Sequence, residues 1–500
     1  MSRLCENSFL VIVASSLSKG SSMTRFIEGE SRTQTTMFPE SLDDYVSDDN
    51  PVRVIEAFLE GLDLKALGFN RVEAKYTGRP GYHPSTMLKI YVYGYLNRIQ
   101  TSRRLEAETH RNVELMWLVE RLRPDFKTIA DFRKDNGQAI RKVCKEFVLL
   151  CRRLELLSHN IVAIDGSKFK AVNTRDKSFS KAKIKLRIKE VEQSIDRYLK
   201  NLDAADKDDS GSSHVKVARM KDKLERLKLQ MEGLKVIESE IEQSPTKQKC
   251  LTDPDARIMK GGLSSMVVAY NVQTAVDTKN HLIAAHEVTQ EPSDRRLLFK
   301  MAVQAREVMK TSSLKVLADK GYYKGEEILA CHDAGIITYL PKTYTSNNEA
   351  KGLYRRDQFI YIKVDDEYRC PANQRLTKRT RIVENDRNVD TYRTAACREC
   401  LQRTQCTSSK QSRRIKRWEH ENVLDELEAR LQSDPETMKL RKQTVEHPFG
   451  TIKQWMGSTH FEMRRLHNVK IEMSLHVLAY NMKRVISILG VKGLLKAIPA

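Results

Sequence analysis

Two aspartates follow short apolar stretches that are typical of buried β-strands. Asp165 ends the stretch "VAID", and Asp319 ends "KVLAD". Aspartate is common where strands meet turns, so neither residue is informative alone. If the two strands are neighbours, the carboxylates lie at one place, where they repel each other unless a cation is bound between them. The pair therefore predicts a site for hard divalent ions, which prefer oxygen ligands.

A third acidic residue is expected later in the chain, preferably on a helix. Two divalent ions about 4 Å apart stabilise the attacking and leaving oxygens of a phosphodiester displacement. The candidate ligand is Glu446, in "LRKQTVEHPFGTIKQWMG". Lys453 lies seven residues further on, about two helical turns, and shares a face with Glu446 if the helix is continuous. Pro448 must then lie in the first turn or kink the helix.

The overall charge favours a polyanionic partner. The 500 residues carry a formal net charge of +21, from 87 Lys and Arg against 66 Asp and Glu. Nucleic acid is the leading partner, with an anionic membrane surface or the ribosome as alternatives. No apolar run is long enough to cross a bilayer. The sequence contains no glycine loop of the P-loop type, so binding of a nucleoside triphosphate is not expected. Nine scattered cysteines do not resemble a disulfide scaffold and favour a cytoplasmic protein.

Periodicity divides the chain into a helical region and an α/β region. Residues 1–22 differ in composition from the rest of the chain and are expected to be an extension, with Met23 as an alternative start. Residues 23–158 repeat apolar side chains at three- and four-residue steps, which predicts an all-helical domain, and the arginines in its middle are compatible with a DNA-binding role. Strand and helix patterns alternate over residues 159–345, and residues 426–490 complete this α/β domain, in which a mixed sheet is expected.

Two insertions interrupt the α/β pattern. Within residues 180–245, two stripes of apolar residues predict an antiparallel helical hairpin. The second insertion, residues 346–425, contains four cysteines whose thiolates would suit a tetrahedral zinc ion: Cys370, Cys397, Cys400 and Cys406. Only "CREC" has the usual two-residue spacing, and the alternative is four reduced thiols in a small β subdomain.

A basic segment comes after the cysteines. The stretch "KQSRRIKRW" is the most concentrated run of positive charge in the chain. Such a run is suited to contacts with a phosphate backbone, although charged runs are often only solvated. The DNA-binding candidates in it are Arg413, Arg414, Lys416 and Arg417.

Several motifs taken together resemble the DDE transposases of bacterial insertion sequences. They are "IDGSKFKA", "LADKGYY" and "VEHPFGTIKQWMG", behind a helical region with "YHPSTMLKIYVYGYLNRIQTSRRLE" and "TIADFRKDN". The resemblance covers about residues 23–490 and implies an RNase H-like catalytic domain. It implies that Asp165, Asp319 and Glu446 bind two Mg²⁺ or Mn²⁺ ions. Lys453 matches a lysine that follows the glutamate in many relatives.

The chain departs from this family pattern just before the glutamate. Many relatives have a tyrosine seven residues and an arginine four residues before it, where this chain has Lys439 and Lys442. Arg441 is displaced by one position. Lysine supplies charge but not a planar bidentate fork, so Arg441 and Lys442 are interpreted only as weak DNA-contact candidates.

The resemblance implies a transposase that acts on double-stranded DNA. A water molecule would hydrolyse a strand at the terminal inverted repeats, and the freed 3′ hydroxyl would attack target DNA. Two ends must be brought together, so a homo-oligomer is expected. The alternatives are an RNase H-like nuclease without joining activity, a DNA-binding regulator derived from an inactive transposase, and a basic structural protein. The presence of all three acids argues against the regulator.

Overall fold

The N-terminal region is helical, as its apolar periodicity predicts. The computed structural model describes residues 40–74, 80–205, 213–261, 265–343, 347–409 and 411–498, so the expected extension at residues 1–22 lies outside the described residues. The helices are α1 (Pro51–Glu60), α2 (Leu64–Leu67), α3 (Pro84–Leu96), α4 (Ser102–Arg111), α5 (Val113–Leu118), α6 (Phe126–Asp135) and α7 (Gly137–Arg153). The Asn50 side chain caps α1 by accepting a hydrogen bond from the Val52 amide at 2.9 Å.

Strands and helices then alternate to form a mixed α/β region, which confirms the predicted fold class at this level. In chain order the elements are β1 (Ile161–Lys170), β2 (Ser178–Ser180), α8 (Lys181–Ala205), α9 (Ser213–Gln243), β3 (Gln248–Cys250), β4 (Arg257–Lys260), β5 (Met266–Asp277), β6 (Ile283–Thr289), α10 (Leu298–Met309), β7 (Lys315–Leu317), α11 (Gly325–Asp333) and β8 (Ile337–Tyr339). Helices α8 and α9 pack against each other through the two apolar stripes, including Ile184, Val191, Met231 and Leu234.

The main sheet has β5 and β1 at its centre. These two long strands pair antiparallel, and β4 and β6 pair with successive parts of the other edge of β5. On the far side of β1, strand β7 is parallel to β1 and β8 is parallel to β7. The order β4 and β6, β5, β1, β7, β8 therefore joins an antiparallel half to a parallel half at β1.

A second, antiparallel sheet occupies the Cys-containing segment. The remaining elements are β9 (Ile360–Ile362), β10 (Glu367–Arg369), β11 (Arg375–Glu384), β12 (Arg387–Arg393), α12 (Arg403–Cys406), β13 (Ile415–Trp418), α13 (Glu421–Ser433), α14 (Glu436–Gly450) and α15 (Leu466–Ala497). The five strands have the order β13, β12, β11, β10, β9. Their own core is small and consists of Phe359, Tyr368, Leu376, Tyr392 and Ile415.

Helix α15 joins the helical region to the main sheet. It contacts α1, α3 and α7 on one side and β6 on the other, so both regions share one hydrophobic core. Its Asn481 amide accepts a hydrogen bond from the Ile283 N–H and donates one to the Ile283 carbonyl, each at 2.9 Å. None of the described helices, α15 included, is long and apolar enough to span a bilayer.

We predict that His476 of α15 makes the fold sensitive to acid. The ring is fully buried, bonds Ser458 Oγ at 2.9 Å, and has a pKa lowered to about 3, mainly by burial. Below its usual value of 6.5 the unfolded chain binds a proton that the folded protein excludes, so stability is present above pH 6.5 and falls on acidification. His476→Gln should reduce the slope of unfolding free energy against pH between about 5 and 6 by about 1.4 kcal/mol per pH unit.

The exposed His332 supplies the control for this measurement. His332→Gln should leave the slope unchanged in the same denaturation series. Equal slopes for the parent protein and His476→Gln would show that the buried ring does not exclude the proton.

Candidate active site

The register of two parallel strands brings Asp165 and Asp319 to corresponding positions. Ala163 of β1 lies opposite Leu317 of β7, and each aspartate comes two residues later. Ala163 and Leu317 pack against Val445 of α14. Because strand side chains alternate between faces, Asp165 points to the same face as Ala163, towards α14. Asp319 starts the next turn, with its Oδ1 accepting a hydrogen bond from the Gly321 N–H at 2.9 Å.

Burial and like charge act together on Asp165. Its pKa is raised to about 6, mainly by burial; Arg441 lowers the pKa, whereas the neighbouring Asp319 and Asp294 contribute to raising it. The Arg441 Nη2 donates to Asp165 Oδ1 at 3.0 Å. Arg441, a weak DNA-contact candidate in the sequence, is therefore the counter-charge of Asp165.

Lys453 reaches the same strand from beyond α14. Pro448 lies inside α14 near its end, not in the first turn, and the helix continues into a π-helical turn at Thr451–Trp455. Such wide turns are frequent at functional sites. The Lys453 Nζ donates to Ser167 Oγ at 2.6 Å and to the Lys168 carbonyl at 3.0 Å. Burial lowers the pKa of Lys453, and Asp165 opposes this change.

Glu446 is exposed on α14 and is directed differently from Arg441. Val445 fixes the helix by packing on β1 and β7. At about 100° per residue, Glu446 is rotated roughly 140° from Arg441 around the helix axis. As the side chains stand, no group of three or more His, Cys, Asp or Glu residues in the described parts of the chain is arranged to hold a metal ion. The structure thus brings together two of the three predicted acids.

Asp294 is a residue of this region that the sequence analysis did not identify. Its Oδ1 accepts hydrogen bonds from Asn271 Nδ2 at 2.7 Å and Gln273 Nε2 at 2.8 Å, and the Lys168 ammonium lies 3.4 Å away. The buried Tyr322 hydroxyl donates to Gln273 Oε1. This polar network lies against β1 at Gly166, where a side chain would meet both Gln273 and Asp294.

The cations of the basic segment differ in whether they are already bound to other groups of the protein. Arg417 is buried, donates to Asp425 at 2.6 Å, and lies 3.6 Å from the centre of the Tyr361 ring. Arg413 donates to backbone carbonyls, and Lys416 is paired with Glu384.

Two other DNA-contact candidates are on the surface. Arg414 and Lys442 are both exposed. Arg417 differs from these two candidates, because its guanidinium is buried against the second sheet.

The four cysteines of the second sheet line one cavity of about 20 Å³. They come from three separate places: the end of β10, the turn after β12, and α12. Among the described cysteines, all are free thiols.

Two parts of the chain match known protein families. Residues 40–135 match the family described as "Transposase domain (DUF772)", and residues 369–486 match "Transposase DDE domain". The second range includes Glu446 and Lys453, whereas Asp165 and Asp319 lie outside both ranges.

No curated protein matches the chain. Among solved structures, the chain is similar to a piggyBac transposase in a synaptic complex with hairpin DNA. The TM-score is 0.34 and the identity is 8%, over 90% of this chain and 79% of that chain. This similarity is too low to define the fold.

We predict that Gly166→Ala disrupts the network behind Asp165. An added methyl group would overlap Gln273 Nε2 and lie 2.8 Å from Asp294 Oδ1, and the hydrogen bonds of both groups resist displacement. Overpacking of this kind costs about 1–3 kcal/mol, which chemical denaturation would measure. Gly233→Ala in α9, where the new methyl group meets nothing within 4 Å, should be neutral or stabilising. Equal stabilities for the two variants would contradict close packing at Gly166.

Proposed function

Because this chain belongs to the DDE transposases, which are metal-dependent nucleotidyl-transfer enzymes acting on DNA, we propose that it cleaves the ends of its own mobile element and joins them to target DNA. The observation that carries the proposal is the register of β1 and β7, in which Ala163 lies opposite Leu317, and Asp165 and Asp319 each come two residues later. The sheet supports an RNase H-like catalytic domain, since β1 is central, antiparallel to β5 and parallel to β7.

The aspartate pair fits a hard divalent ion such as Mg²⁺ or Mn²⁺. Both ligands are carboxylates, and Asp165 is desolvated enough that its negative charge needs a nearby cation. Asp165 and Asp319 would hold the ions, and Glu446 would complete the ligand set by turning from its exposed position on α14. When bound, two such ions activate the attacking oxygen and stabilise the leaving oxygen.

The cations around Asp165 would orient the DNA backbone. Lys453 holds its ammonium beside Ser167, next to the carboxylate, where a phosphate oxygen can replace the hydroxyl as partner. Arg441 pairs with Asp165, and its guanidinium would be available to a phosphate when that carboxylate serves as a metal ligand. Contacts between the DNA backbone and these side chains would then align the attacking water or 3′ hydroxyl with the phosphate.

We propose that the helical region binds the terminal repeats. Exposed cations such as Arg414 and Lys442 would contact DNA more generally. The net charge of +21 supports binding along DNA beyond the site itself. Two ends must meet, so the active species is proposed to be a homo-oligomer in the cytoplasm. No nucleoside triphosphate is required, because one phosphodiester is exchanged for another.

We predict that Asp165→Asn abolishes strand cleavage and preserves binding to the element ends. Loss of an outer-shell residue already costs about 10–100-fold at metal sites, so loss of a direct ligand should exceed about 100-fold. The assay incubates the protein with a duplex carrying the terminal repeat, a target plasmid and Mg²⁺, and it measures nicked and joined products. Asp333→Asn, at an exposed position, is the control.

The same assay separates the proposal from its alternatives. Nicked DNA without joined product would identify a nuclease, and end binding without nicking in the parent protein would identify a regulator. A parent protein without end-specific binding would contradict the transposase proposal altogether.

The role of Glu446 has its own test. Glu446→Gln should reduce cleavage by at least about 100-fold, if this side chain turns towards the aspartates when metal binds. Glu436→Gln is a matched control, because Glu436 is exposed in the first turn of the same helix and pairs only locally with Lys439 at 2.7 Å. Equal cleavage rates for Glu446→Gln and Glu436→Gln would remove Glu446 from the site.

A further inference from the structure

The second sheet has a core that is small for its size. Its strands are three to ten residues long, and β11 is exposed along most of its length. Five side chains form the fully buried cluster, and Cys370 and Cys406 pack against its edge. Small β units with so little apolar burial are commonly stabilised by disulfides or by a metal ion. A disulfide is not the device used here, because the four cysteines are free thiols.

All four thiols of this sheet surround a single cavity. Its volume of about 20 Å³ is close to that of one water molecule, and Phe359 and Leu376 close its apolar side. An apolar cavity of this kind does not hold water unless several polar partners line it.

The local backbone is arranged to support thiolates. Cys370 lies in a tight turn between β10 and β11, with Asn373 in the left-handed region at φ 58°. In this turn the Gln374 N–H donates to Cys370 Sγ at 3.3 Å. Arg413 also lines the cavity, and its cation would offset part of the negative charge of a metal bound by four thiolates.

We propose that Cys370, Cys397, Cys400 and Cys406 bind one structural Zn²⁺ ion. As they stand, the sulfurs do not meet as a metal-binding group, so the ion would draw them inwards across a cavity one water molecule wide. Each thiol releases its proton to solvent as the ion binds, and a tetrahedral tetrathiolate site is closed to substrate. The site therefore stabilises the second sheet, and the ion takes no part in the chemical step of cleavage.

The first experiment measures zinc in the full-length protein. After dialysis against a chelating resin, plasma mass spectrometry should find about one zinc ion per chain. Cys397→Ser and Cys400→Ser should each lower this to below about 0.1. Cys331→Ser, which replaces a single buried thiol of α11, should keep it. Zinc retained in the Cys397→Ser/Cys400→Ser double variant would overturn the proposal.

A second measurement uses the parent protein, so it does not depend on whether the cysteine variants fold. Treating the parent protein with a strong chelator should lower its melting temperature, and added Zn²⁺ should restore it. Co²⁺ in place of zinc should give the absorption bands of tetrahedral thiolate coordination. Parent protein without stoichiometric zinc, and with a melting temperature unaffected by the chelator, would overturn the inference. Asp165→Asn should retain its zinc, so failure of the cleavage proposal and failure of the zinc proposal are distinguishable.

Discussion

The parallel pairing of β1 with β7 places two carboxylates next to each other at the edge of a hydrophobic core, and the repulsion between them constrains the surrounding structure. The pKa of Asp165 is raised to about 6, mainly by burial and in smaller part by Asp319. The surrounding elements supply positive charge in response. Helix α14 contributes Arg441, and the π-helical turn after it contributes Lys453. The carboxylates and cations of the site therefore balance each other's charge.

The shared core bears on the proposal that the helical region binds the terminal repeats. Helix α15 is buried by α3 and α7 on one side and by β6 on the other, so the helical region has little freedom to move against the sheet. The paired hydrogen bonds between Asn481 and Ile283 fix the register of this contact. DNA held by the helical region would accordingly be presented to the aspartates in one orientation.

The sequence predicts those parts of the molecule that depend on local pattern. The apolar runs before Asp165 and Asp319 indicate two strands, and the alternation of strands and helices makes the strands neighbours. Helix periodicity likewise predicts the helical region. The rotation of α14 about its own axis does not follow from local pattern. The packing of Val445 on β1 and β7 decides which side chains of the helix face the aspartates. For this reason Arg441 contacts Asp165, while Glu446 is exposed.

Contacts between distant residues explain the other differences. Asp294 contacts β1 at Lys168, which is 126 residues away in the sequence. No spacing in the sequence indicates that contact. Arg417 belongs to a charged run that is typical of a solvated face. Its partners Tyr361 and Asp425 lie on either side of it in the chain, and only the folded sheet brings them together to bury it.

The second sheet also has a mechanical relation to the site. The chain passes through this sheet between Asp319 and Glu446, so α13 begins where the sheet ends and α14 follows α13. The sheet is docked on the α/β region, since Trp418 packs against Gly325 and Arg387 pairs with Glu326. Loosening the sheet would free the start of α13 and, through it, the approach of α14 to β1. An ion bound by its cysteines would thus stabilise the position of Arg441 without contacting it.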